Sequence, residues 1–94
     1  MHSSIRRQTI ADILRRSALR LPHKLAVRCG DTRWSYSEFD AIVTRLAAGL
    51  AQRGIAYGDR VAVLARNSHG FAAIRFALAR LGAVLVPIYP TLLP

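Results

Sequence analysis

"GDRVAVLARNSHGFAAIRFALARLGAVLVPI", from Gly58 to Ile88, is the stretch that decides the fold. "RVAVLA" is apolar almost without alternation, which suits a strand covered on both faces in a parallel sheet. Asn67 and Ser68 follow as capping residues. Phe71, Ile74, Leu78 and Leu81 then share one helical face, and Gly82 supplies the stop. "AVLVPI" is a second apolar strand. Strand, helix and strand in that order predict a right-handed βαβ unit with its two strands parallel.

The turn between the first strand and the helix raises the question of a phosphate site, because unpaired N–H groups and the positive end of a helix dipole favour an anion. A dinucleotide fold carries G-x-G-x-x-G there, and a P-loop carries a glycine-rich run ending in Gly-Lys-Ser/Thr. "ARNSHG" has neither. Capping by Asn67 or Ser68 is therefore favoured over anion binding.

Upstream, "WSYSEFDAIVTRLAAGLAQRG" is a strongly marked amphipathic helix. Ser35 and Glu38 form a capping box, and Trp34 packs on Phe39 as a hydrophobic staple. Phe39, Ile42, Val43, Leu46 and Leu50 make one apolar stripe, with Glu38 and Asp40 early, Arg53 late and Gly54 as the left-handed stop. Trp34 and Tyr36 could alternatively stack on bases, but the staple accounts for Trp34. Before this helix, Leu25, Val27 and Cys29 alternate with Ala26 and Arg28, and Gly30-Asp31 reads as the tight turn of a β-hairpin. Earlier still, Thr9 and Asp12 stand as an N-cap pair. Ile10, Ile13, Leu14 and Leu21 return at helical spacing while Arg15, Arg16 and Arg20 point elsewhere, and Pro22 ends the helix.

A chain of 94 residues allows one small domain at most. Its 52% hydrophobic and 20% charged residues are a globular composition. Fourteen Lys and Arg against five Asp and Glu leave a net charge of +9, which raises nucleic acid and anionic membrane as partners. Apart from Arg6/Arg7 and Arg15/Arg16, however, the basic residues stand singly. Cys29 is the only cysteine, so no internal disulfide forms and a reducing cytoplasm is the expected compartment. His2, His23 and His69 are too dispersed for a metal site. The N-terminus lacks the pattern of a secretory signal, and "LGAVLVPIYPTLLP", broken by prolines, is too short for a membrane helix.

Taken together, "WSYSEFD", "GLAQRGIAYGDRVAVLARNS" and "FALARLGAVLVPIYPT" resemble the N-terminal start of AMP-forming acyl-CoA synthetases, from about Thr9 to Pro94. These enzymes belong to the adenylate-forming superfamily, with luciferases and nonribosomal peptide adenylation domains. The resemblance implies a two-step reaction. A carboxylate attacks the α-phosphate of ATP to give an acyl-adenylate and pyrophosphate, and the thiol of coenzyme A then displaces AMP. Mg²⁺ and a lysine offset the phosphate charge, and the ending "PIYPT" looks like the fatty-acyl branch.

The family's chemical motifs lie downstream of these residues: the Ser/Thr/Gly-rich phosphate loop with lysine, the aromatic-Gly-x-Thr-Glu motif, the ribose-binding aspartate and the C-terminal lysine. Lys24, the sole lysine, receives no catalytic role. The matching positions are scaffold: Gly54, Gly58 and Asp59 shape a turn, and Asn67 and Ser68 start a helix. The expectation is an α/β chain, residues 1–94 forming a partial N-terminal subdomain of a synthetase/ligase domain. It holds no catalytic, cofactor-binding or metal site of its own; ATP, Mg²⁺ and CoA are implied for the full-length family member. Its expected partners are the remainder of a synthetase, or another copy meeting it at the exposed edge of the strand Val84 to Ile88. Two other readings stay open: a small basic module on nucleic acid or a membrane surface, and a remnant domain pairing with a full-length synthetase.

Overall fold

The structure, a computed structural model, describes residues 12–65 and 68–89. Helix α1 runs over residues 12–20, followed by strands β1 (Leu25–Cys29) and β2 (Thr32–Ser35) and helix α2 (Tyr36–Gln52). Strand β3 (Arg60–Leu64), helix α3 (His69–Leu81) and strand β4 (Val84–Ile88) complete the order.

The hairpin closes where expected. Cys29 pairs with Thr32 across Gly30-Asp31, and Gly30 has φ +58 while among the described residues none other than glycine has positive φ, the pattern of a II′ turn. Val27 stands opposite Trp34, a β-branched residue against an aromatic, after a bulge between Leu25 and Val27. The next residue, Ser35, starts α2. Its hydroxyl accepts from Glu38 N–H at 3.1 Å, and Glu38 Oε1 accepts from Ser35 N–H at 2.9 Å. Trp34 and Phe39 stack with centroids 5.8 Å apart, so the capping box and the staple are both present. The remaining free donors of the first turn, Tyr36 N–H and Ser37 N–H, go to the carbonyls of Lys24 and Pro22.

Both long helices end alike. Gly54 and Gly82 carry φ +97 and +71, and the N–H of the residue after each glycine reaches back five residues, Ile55 to Leu50 and Ala83 to Leu78. These are Schellman motifs, which need a left-handed residue after the last helical turn.

The core lies where α2 and α3 meet. Val43 and Ala77 are fully buried there, with Leu14, Phe39, Ala47 and Ala73 around them; Leu78 is nearly fully buried outside this cluster. Alanines thus carry much of the helix–helix contact, because small side chains let the two backbones approach. The expected face of α3 differs accordingly: Leu78 is buried, but Phe71 and Ile74 are only half-buried. In α1, Leu14 alone enters the core, while Ile13 and Leu21 are exposed; Thr9 and Ile10 lie outside the described residues. Ile13, although about half exposed, also borders the cleft that α1 makes with β1, α2 and α3.

Strands β3 and β4 pair in parallel, from Arg60 opposite Val84 to Leu64 opposite Ile88. The structure corrects the expectation of cover on both faces. Val61, Val63 and Leu85 are half-buried on one face, with α3 packed against β4. On the other, Ala62, Val84 and Val86 are exposed, since no described element lies over them. Pro87 fits the ladder for a specific reason. The bonds from Val84 N–H to Asp59 O and from Ala65 N–H to Ile88 O fix the phase, so even-numbered residues of β4 bond to β3. Pro87 is odd, and its missing N–H falls on the outer edge, which it blunts against further pairing.

Candidate functional site

The β3–α3 turn is the place where a phosphate would sit, and two N–H groups of the first turn of α3 are engaged by Ser68. The Ser68 hydroxyl accepts from Phe71 N–H at 3.2 Å, and the Ser68 carbonyl accepts from Ala72 N–H at 3.3 Å. Ser68 is therefore the cap; Asn67 and Arg66 lie outside the described residues. The first residue of the helix, His69, sets its ring edge-on to Trp34 at 5.2 Å, with Nδ1 buried and without a hydrogen-bond partner. Phe39 continues the aromatic run to Phe76 at 5.4 Å. This places the start of α3 against the hairpin and α2 through ring packing.

A second junction joins the α2–β3 loop to the α3–β4 turn. Asp59 Oδ2 accepts from Ala56 N–H at 2.7 Å, Asp59 N–H donates to the Ala56 carbonyl at 3.1 Å, and the Asp59 carbonyl accepts from Val84 N–H at 2.6 Å. Gly58, with φ +85, donates to the Gly82 carbonyl at 2.9 Å. Tyr57 lies over Gly82 so closely that a Cβ there would stand 2.6 Å from the ring. Gly54, Gly58 and Asp59 do shape this turn, as their sequence pattern predicts. One oxygen of the Asp59 carboxylate, Oδ2, is thus held by the backbone of the turn.

Between α2 and α3, Arg80 donates to Asp40 Oδ1 and to Thr44 Oγ1, while Thr44 Oγ1–H donates to the Asp40 carbonyl at 2.9 Å. Sequence reading treats Asp40 as a helix-start acid and Arg80 as one of the scattered cations. The available signal is spacing. Asp40 precedes Val43 and Ala47 by three and seven residues, and Arg80 follows Ala77 and Ala73 by the same steps, so each flanks a buried stripe.

A cleft of about 320 Å³ opens between α1, β1, α2 and α3, walled by Leu14, Val27, Phe39 and Phe76, with Ser17 and Tyr36 as its hydroxyls. It offers an apolar wall and no carboxylate, imidazole or amine. Lys24 and His23 are exposed in the turn before β1, and Cys29 is half-buried in β1; His2 lies outside the described residues. Among the described residues no three His, Cys, Asp or Glu side chains are grouped to hold a metal ion. No described helix is long and apolar enough to cross a membrane. Among the described residues of the β3–α3 turn, the serine is occupied as a cap and no lysine stands beside it.

Comparison with known proteins identifies what this framework is. The AMP-binding enzyme family matches residues 14–94. The 2,3-dihydroxybenzoate-AMP ligase of Bacillus subtilis is 43% identical over 84 residues, covering 89% of this chain and 16% of that protein. A long-chain-fatty-acid–CoA ligase of Mycobacterium tuberculosis is 47% identical over 58 residues, 62% of this chain and 12% of the ligase. Among solved structures, the inhibitor-bound N-terminal domain of FACL13 from Mycobacterium tuberculosis superposes with TM-score 0.83 at 40% identity, covering 88% of this chain and 21% of that one. The chain belongs to the AMP-binding enzyme family. It spans between 12% and 21% of the length of these three proteins.

Proposed function

We propose that this chain is the opening section of an AMP-forming acyl-CoA synthetase. In that reaction a carboxylate oxygen bonds to the α-phosphorus of ATP as the bond to pyrophosphate breaks. The coenzyme A thiol then attacks the acyl carbon, and AMP leaves. Residues 1–94 act as a partial N-terminal subdomain whose work is scaffolding: they carry no catalytic, nucleotide or metal ligand, and the groups that handle ATP, Mg²⁺ and CoA belong to sequence beyond them. The observation that carries this reading is the family match across 14–94, together with a strand-to-helix turn whose serine is used as a cap. The acid is assigned as a fatty acid on the "PIYPT" ending, and the compartment as a reducing cytoplasm on a sequence with Cys29 as its only cysteine.

Two measurements test the proposal. The purified 94-residue chain should give no ATP-dependent acyl-CoA with alkyl or aryl acids; turnover by it would overturn the scaffold assignment. The transcript read through codon 94 should continue into a Ser/Thr/Gly-rich loop with lysine. A native product whose intact mass ends at Pro94 would contradict the reading as a section of a working ligase.

A further inference from the structure

Each strand of the parallel pair has one row of backbone groups turned to its neighbour and one turned outward, and the two outward rows differ. Val84 N–H donates to the Asp59 carbonyl and Ala65 N–H to the Ile88 carbonyl, so odd-numbered residues of β3 meet even-numbered residues of β4. The outward row of β3 is therefore Arg60, Ala62 and Leu64. Their N–H groups and carbonyls have no hydrogen-bond partner among the described residues. The outward row of β4 is Leu85 and Pro87, and Pro87 has no N–H to give. An apolar strand with a whole row of unpaired groups is a template for another strand, whereas proline marks the rim of a sheet.

The bare face of the pair belongs to the same problem. Helix α3 packs against β4, and Val61, Val63 and Leu85 are half-buried on that face, while Ala62, Val84 and Val86 are exposed on the other. The crossover from β3 to β4 has thus used one face. A parallel strand reached from β4 and laid beyond β3 crosses the sheet in the opposite direction, so the right-handed rule puts its connecting helix on the opposite face. One helix and one strand then pair the free row of β3 and cover Ala62, Val84 and Val86 together. A second copy of this chain would do only half of this. Paired antiparallel with β3 about a twofold axis normal to the sheet, it brings its own α3 to the face already covered and leaves the other bare. Sequence to supply the strand is present in the relatives, of whose length this chain spans between 12% and 21%.

We propose that the outward row of β3 takes a parallel strand from synthetase sequence beyond residue 94, whose connecting helix lies on Ala62, Val84 and Val86. Strand β3 then stands inside the sheet and β4 at its rim. This rests on the reading of the chain as the opening section of a ligase. The test is residue-resolved amide hydrogen exchange on the longer natural product read through codon 94. Ala62 and Leu64 should exchange as slowly as Val61 and Val63, which bond to β4, within about tenfold, while Leu85 exchanges freely. In the same product Val86→Cys, read against Cys29, should be shielded from a maleimide until denaturant is added. Free exchange at Ala62 and Leu64 in a product that forms acyl-CoA would overturn the proposal and leave the ligase reading intact. Protection at those two amides that disappears on dilution would overturn it in favour of a second copy. Rapid labelling of folded Val86→Cys would overturn the placement of the helix. A native product ending at Pro94 would overturn both this proposal and the ligase reading.

Discussion

The Asp40 carboxylate and the Arg80 guanidinium, 40 residues apart in sequence, join α2 to α3 through an ion pair that also holds Thr44. Their side chains are 30% and 19% exposed, so water screens the pair only in part. A double-mutant cycle of Asp40→Asn and Arg80→Met should return a coupling of about 1 kcal/mol, smaller in high salt. Additive single effects would show that the alanine contacts alone hold the helices.

Ser35→Ala removes the acceptor for Glu38 N–H and leaves the Glu38 side chain alone in the box. The expected loss is about 1 kcal/mol in urea or thermal unfolding. Glu38→Ala should cost less, since Ser35 still caps. The reverse order would mean that the helix start is held by the Trp34–Phe39 stack and the carbonyls of Pro22 and Lys24 instead.

Gly82→Ala meets two obstacles, a left-handed backbone and the Tyr57 ring 2.6 Å from the new Cβ. The backbone part alone is about 1–2 kcal/mol. Adding Tyr57→Ala should recover the ring part and leave the backbone part, a non-additivity that stability measurements on the four variants will read. Equal losses with and without Tyr57 would show that this exposed ring swings aside freely.

For the isolated chain, the uncovered face of β3–β4 should drive self-association, with Val84 and Val86 45% and 40% exposed. Sedimentation should show Val86→Lys to be more monomeric than the parent, with little change in melting. A monomeric parent, or association unaffected by the lysine, would place the contact elsewhere.

What was legible in the sequence follows the range of the interactions. The Ser35/Glu38 box, the Trp34 staple, the Gly30-Asp31 turn and the Gly54 and Gly82 stops are local, and each is present. The parallel β3–β4 pair was legible because two apolar runs flank one helix-length segment. The Ala73/Ala77 contact and the Asp40–Arg80 link depend on how two helices cross, which periodicity does not encode. The apolar runs report burial on both faces, but among the described residues one helix supplies cover for one face only. At the β3–α3 turn, Asn67 and Ser68 were two candidate caps that sequence could not separate, and Ser68 is the one seen capping α3.

The central claim, that this chain is ligase scaffold, is tested most directly by a graft. Its 58-residue matching stretch would replace the corresponding stretch of the Mycobacterium tuberculosis long-chain-fatty-acid–CoA ligase, and ATP-dependent acyl-CoA formation would be measured. A scaffold segment should leave the rate within about tenfold of the host, or about 1.4 kcal/mol in barrier. A folded graft with no activity would contradict the account.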